Sequence, residues 1–97
     1  MKWLWTWDGH FFGYKDGKDL WTYDGKHVGN INGTDIYDLD GNYLGEIMHG
    51  DRLITCKSKK QDKKDSFKPY ANRAGYEKQG DYAGYAMYVG YEDFPKL

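Results

Sequence analysis

The chain predicts an all-β fold, a meander of four hairpin units each sixteen residues long. Two observations predict it. The stretch Trp21-Thr22-Tyr23-Asp24-Gly25-Lys26-His27-Val28-Gly29 recurs upstream as Trp5-Thr6-Trp7-Asp8-Gly9-His10-Phe11-Phe12-Gly13 and downstream as Tyr37-Asp38-Leu39-Asp40-Gly41-Asn42-Tyr43-Leu44-Gly45, a period of 16 residues. Asp8-Gly9, Asp16-Gly17, Asp24-Gly25, Asn32-Gly33 and Asp40-Gly41 fall every eight residues, and Asp-Gly or Asn-Gly between apolar runs is the signal of a two-residue hairpin turn.

Two-residue turns fix a pairing. Trp5 should face Phe12, Phe12 should face Trp21, and the row should continue through Val28, Tyr37 and Leu44. A second row runs through Leu4, Leu20, Ile36 and Leu53, with Gly13, Gly29 and Gly45 opposite the first three, where an aliphatic side chain can lie on bare backbone. After Leu44 the spacing slips by one residue, and a three-residue loop Met48-His49-Gly50 should absorb it and return Ile54 opposite Leu44. In the fourth unit Lys57-Ser58 stands where Asp-Gly belongs. Residues 57–68, with six lysines and two aspartates, read as an exposed loop inserted at the fourth hairpin tip. From 70 to 97 the chain is rich in Tyr and Gly, and Tyr70, Tyr76, Tyr82, Tyr85, Tyr88 and Tyr91 keep a spacing of three that matches the turn of polyproline II. Four glycines between 75 and 90 disfavour a helix, so the segment is expected to be extended and to complete the fourth unit.

The whole chain, 1–97, is expected to form a single domain, with no linker composition inside it. Aliphatic residues are few, but four Trp, ten Tyr and four Phe at a net charge of −1 supply the buriable surface of an aromatic core. The one cysteine, Cys56, has no partner for an internal disulfide, and no long apolar run is present to cross a membrane. Those features lead us to expect a cytoplasmic protein without a membrane partner.

The unit at 21–29, Asp-Gly-Asn-Tyr-Leu-Gly-Glu-Ile at 40–47, Asp51-Arg52-Leu53-Ile54-Thr55, and the tail from Ala83-Gly84-Tyr85 to Glu92-Asp93-Phe94-Pro95 together resemble the bacterial four-fold β-flower family. The resemblance implies four hairpin petals around a pseudo-four-fold axis, as a flower or a closed, barrel-like sheet. It implies no activity and no site residues.

Function is not written as a motif. The recurring aspartates are explained by turn geometry, His10 and His27 fall on opposite faces with His49 in a turn, and no metal, cofactor or catalytic residue is expected. The leading expectation is a non-enzymatic binding or protein-interaction module taking a protein or glycan ligand. A small enzyme with a site assembled from loops, or a structural assembly protein, are the alternatives. Candidate binding residues flank the tips, Trp7 with His10 and Tyr23 with Lys26, where exposed rings can stack on sugars or hold a partner. Lys59, Lys60, Lys63 and Lys64 form a second candidate group. Nucleic acid is disfavoured, because residues 1–50 carry four positive and eight negative charges.

Overall fold

The computed structural model describes all residues, 1–97, as an all-β domain. The strands are β1 (Lys2–Thr6), β2 (Phe11–Asp16), β3 (Asp19–Thr22), β4 (His27–Asn32), β5 (Asp35–Tyr37), β6 (Tyr43–Met48), β7 (Arg52–Cys56) and β8 (Tyr91–Asp93). Neighbours in sequence are antiparallel neighbours in the sheet, and β1 also pairs in parallel with β7, Trp5 with Arg52 and Thr6 with Leu53. That contact closes β1 to β7 into a seven-stranded barrel. β8 takes the remainder of the same β7 edge, with Ile54 opposite Asp93. The hairpins β1–β2, β3–β4, β5–β6 and β7–β8 are the four units expected from the repeat.

The glycine row is the axial core. Leu4 lies opposite Gly13, Leu20 opposite Gly29 and Ile36 opposite Gly45. Leu4, Leu20, Ile36 and Leu53 are fully buried and join Ile31 and Phe94, with Phe12, Val28 and Leu44 packed half-buried on top. A Cβ at Gly45 would stand 2.5 Å from the Ile54 carbonyl oxygen and 2.7 Å from the Phe94 ring, so the fold needs bare backbone there.

The other expected row is corrected. Trp5 faces Phe11, Trp21 faces Tyr14 and His27, Tyr37 faces Asn30 and Tyr43, and Ile54 faces Glu46. Alternate turns have two different geometries, and that is the cause. At the tips, Thr6 N–H donates to the His10 carbonyl and Gly9 N–H to the Thr6 carbonyl, enclosing a three-residue loop, and the same bonds recur at Thr22 to Lys26 and Asp38 to Asn42. Only the glycine of each tip is left-handed (Gly9 φ 97°, Gly25 φ 95°, Gly41 φ 83°), which suits a type I turn closed by a glycine bulge and not the two left-handed residues of a type I′ turn. Between hairpins the turns do have two residues, Gly17-Lys18 and Gly33-Thr34, with glycine first. The sixth turn is His49-Gly50-Asp51 between paired Met48 and Arg52, one residue later than expected.

The fourth tip is far larger than residues 57–68. Only Tyr91–Asp93 returns to complete the hairpin, and the 3₁₀ turn Lys57–Lys59 opens a segment that travels round the other three tips before coming back. Along this belt, Lys64, Arg73 and Tyr82 donate their N–H groups to the carbonyls of Gly41, Gly25 and Gly9, at 2.8 Å each. Phe67, Tyr76 and Tyr85 do the same to Leu39, Tyr23 and Trp7. The donors are nine residues apart in both series, so a nine-residue belt unit meets each sixteen-residue hairpin unit. The residue that opens each belt unit covers the ring that opens its petal: the Tyr82 ring stacks 3.9 Å from Trp5, the Arg73 guanidinium lies 3.8 Å from the Trp21 ring, and the Lys64 ammonium lies 5.7 Å from Tyr37. Trp5 and Trp7 also donate their indole N–H groups to Gly80 and Ala86 carbonyls of the belt. The tyrosine spacing of three thus brings rings back onto the petals along a curved path.

Candidate functional site

The candidate binding residues do not form one surface. Trp7 is 1 % exposed, enclosed by His49, Tyr85 and Tyr88, so it belongs to the layer between petals and belt and, contrary to the expectation, is not a free tip ring. Its burial comes from Tyr85 and Tyr88, far off in the chain. Lys59 bridges Asp35 (3.0 Å) and Glu46 (3.3 Å), and Lys60 pairs with Glu92, so these lysines fasten the start of the belt and are not a free basic patch. Those contacts hold the Lys59 ammonium above the ordinary lysine range, chiefly through the hydrogen bond to Asp35. Lys63 makes an isolated bridge to Asn42, and Lys64 is tied to Gly41 through its backbone; both side chains are exposed. Lys26 is exposed at the second tip.

His10 and Tyr23 are different. They line an open cleft of about 490 Å³ between the first and second petals, together with Thr6, Asp8, Phe11, Lys78 and the tail Asp93, Phe94, Pro95, Lys96 and Leu97. Three elements shape it. The first tip supplies Thr6, whose hydroxyl donates to Asp8 and accepts the His10 N–H at 3.1 Å, fixing the loop. The second tip supplies Tyr23, half-buried with its ring centroid 5.6 Å from that of Phe11. The end of β8 supplies Asp93, which accepts the N–H groups of Trp7 (3.0 Å) and Phe94 (2.8 Å) on one oxygen and that of Asp8 (3.3 Å) on the other.

The two carboxyls of the cleft act on each other. Burial pushes the Asp93 carboxyl above the usual carboxylate range, helped by the charge of Asp8 and opposed by the Phe94 and Trp7 amides. Burial also acts on Asp8, but the Thr6 hydroxyl, the His10 amide and the His10 ring outweigh it and hold that carboxyl below the range. His10 lies 3.4 Å from Asp8 and 3.2 Å from Asp81, which is itself held low by the Phe11 amide and His10. The result is two neighbouring carboxyls shifted in opposite directions.

The 4-fold beta flower protein family matches residues 1–79. The chain belongs to that family. Within this β-flower the match spans the first three petals, β7 and most of the belt, and stops before the third belt unit and the tail. The two petal walls of the cleft and Lys78 therefore lie inside the family region, whereas Asp93 to Leu97 lie beyond it. No curated protein and no solved structure matches the chain.

Sequence reasoning missed Thr6, Asp8, Phe11, Lys78 and the tail from Asp93 to Leu97 as cleft residues. Thr6 and Asp8 carried a signal, since Thr-x-Asp recurs at Thr22 and Asp24 and reappears in altered form at Asp38 and Asp40. It was legible as turn chemistry and nothing more. Asp93 carried none, because its partners at 7 and 8 are brought to it only by closure of the sheet.

Proposed function

We propose that this β-flower is a non-enzymatic binding module of the cytoplasm that works through the cleft between its first two petals. The observation that carries the reading is the convergence of half-buried Tyr23, buried Phe11, carboxylates, a hydroxyl, an imidazole and two lysines on one concavity of about 490 Å³, within the roughly 300–1,000 Å³ of small-ligand sites. The backbone around it is held by the belt, so a ligand meets a preformed site. The free Cys56 thiol supports the cytoplasmic placement.

One observation favours an enzymatic reading as the second. Asp93 and Asp8, pushed in opposite directions within one cleft, are the arrangement from which a general acid and a base can be drawn. Every oxygen of Asp93 already accepts a backbone N–H, however, which explains the residue as a clasp between β8 and the first tip.

The test is an NMR shift map of the ¹⁵N-labelled protein against a mixed panel of small neutral, anionic and cationic ligands. Shifts concentrated on Thr6, His10, Phe11, Tyr23 and Lys78 are expected. Shifts confined to the belt face or the third petal would refute the cleft as the working surface. Turnover of a bound ligand that Asp93→Asn abolishes while binding persists would establish the enzymatic reading instead.

A further inference from the structure

We propose that the cleft recognises a neutral saccharide of one or two rings. The inference rests on the binding-module reading and adds the ligand class. Three features of the walls carry it.

The first is charge balance. Asp8 and Asp93 share the lining with Lys78, Lys96 and the His10 ring, and Asp81 beside it pairs with Lys78 (3.6 Å) and His10 (3.2 Å). A phosphate would meet the two carboxylates and a polyamine would meet the two lysines, so neither ion finds a uniform field. A polyhydroxylated ring suits the mixture, because each hydroxyl both donates and accepts: the Asp8 carboxylate and the Thr6 oxygen take its protons while the Lys96 ammonium and the His10 ring reach its oxygens, Asp93 being held by backbone N–H groups.

The second is the pair of apolar surfaces. Tyr23 on the petal side and Pro95 on the tail side are partly exposed, while Phe11 and Phe94, which also line the cleft, are buried behind it. A pyranose presents C–H groups on its faces and hydroxyls round its rim. Aromatic surface suits the faces, and the polar groups of the same cleft suit the rim.

The third removes the peptide alternative. An extended peptide gains affinity by adding a strand to free main-chain groups. At the two tips beside the cleft those groups are already used: Trp7 and Gly9 carbonyls accept from Tyr85 and Tyr82, and Tyr23 and Gly25 carbonyls accept from Tyr76 and Arg73. The belt occupies the position such a peptide would need.

The experiment titrates the intact protein with cellobiose, maltose and N,N′-diacetylchitobiose by NMR and calorimetry, with glucose 6-phosphate, spermidine and an extended tyrosine-rich peptide as comparators. At least one neutral disaccharide is expected to shift the amides of His10 and Tyr23 and to bind with saturation. Tyr23→Ala is expected to weaken it by about tenfold or more. His10→Ala, at a side chain 61 % exposed, is expected to stay folded, as checked by an unchanged amide spectrum outside the cleft, and to weaken the same sugar severalfold. If spermidine, the sugar phosphate or the peptide saturates these residues and no neutral sugar does, the saccharide inference fails and the binding module stands. If no member of the panel perturbs the cleft, both fall.

Discussion

Gly25 and Gly33 are both left-handed turn glycines, at φ 95° and 64°, yet the structure asks different things of them. An alanine Cβ at Gly33 meets open space, whereas at Gly25 it would stand 2.0 Å from the Arg73 carbonyl oxygen. Gly33→Ala should therefore cost only the left-handed backbone term, about 1–2 kcal/mol. Gly25→Ala must also push the belt off the second tip, losing hydrogen bonds worth about 0.5–1.5 kcal/mol each, for roughly 2–5 kcal/mol in all. Urea unfolding of the two variants measures the difference, and equal losses would mean that the belt does not sit on Gly25. Asp93 makes a pH prediction. Its folded pKa is raised, so its contribution to stability is complete below the unfolded value of about 3.9 and is lost as pH rises through the folded value. Asp8 and Asp81 are lowered, so their contributions are present above about 3.9 and lost as pH falls through their folded values. Asp93→Asn removes the first effect and the part of the Asp8 lowering that the Asp93 carboxyl supplies, and above about pH 4 only the first varies with pH. The variant should gain on the wild type in denaturant midpoint as pH is raised from about 4, and a difference flat with pH would contradict the placement of Asp93. The turn role of Gly25 was legible in Asp-Gly; its contact with Arg73 was not, because no local pattern links residues so far apart.

At the scale of the element, the hairpins were legible and their pairing only in part. The glycine row, Leu4 to Gly13 and its repeats, followed correctly from the count. The Trp5 row did not, because a tip of three residues and a turn of two look alike when both read Asp-Gly; what separates them is the Thr6 or Thr22 hydroxyl, or the Asp38 carboxylate, that receives the amide on the far side of the loop. The sixth turn gives a test. Deleting His49 leaves Gly50-Asp51 between Met48 and Arg52, the same glycine-first arrangement as Gly17-Lys18 and Gly33-Thr34. Pairing of β6 with β7 should survive, seen as an unchanged Met48–Arg52 cross-strand NOE. Stability should fall by about 0.5–1.5 kcal/mol for the lost stack of the His49 ring on Trp7. A one-residue slip of the NOEs would show that His49 sets the register.

The molecule as a whole has two buried layers, an aliphatic one on the axis and an aromatic one between petals and belt. That is why a chain with few aliphatic residues folds: Trp5, Trp7 and Trp21 are buried on the side away from Leu4 and Leu20, under belt residues that are themselves largely exposed. The four units and the need for an aromatic core could be read from the repeat and the composition. The belt could not, since its nine-residue unit has a consistent position in space but no consistent residue except the aromatic at Phe67, Tyr76 and Tyr85. The cleft depends on both layers, because the belt fixes the two tips and closure of the sheet delivers the tail. The claim that petals and belt are one cooperative body is tested most directly by native-state amide hydrogen exchange across residues 60–90. Slow exchange is predicted at Lys64, Phe67, Arg73, Tyr76, Tyr82 and Tyr85, fast exchange at most amides between them, and convergence of the slow ones with the β1–β7 amides as denaturant is added. Uniformly fast exchange from 60 to 90 beside a protected barrel would contradict it.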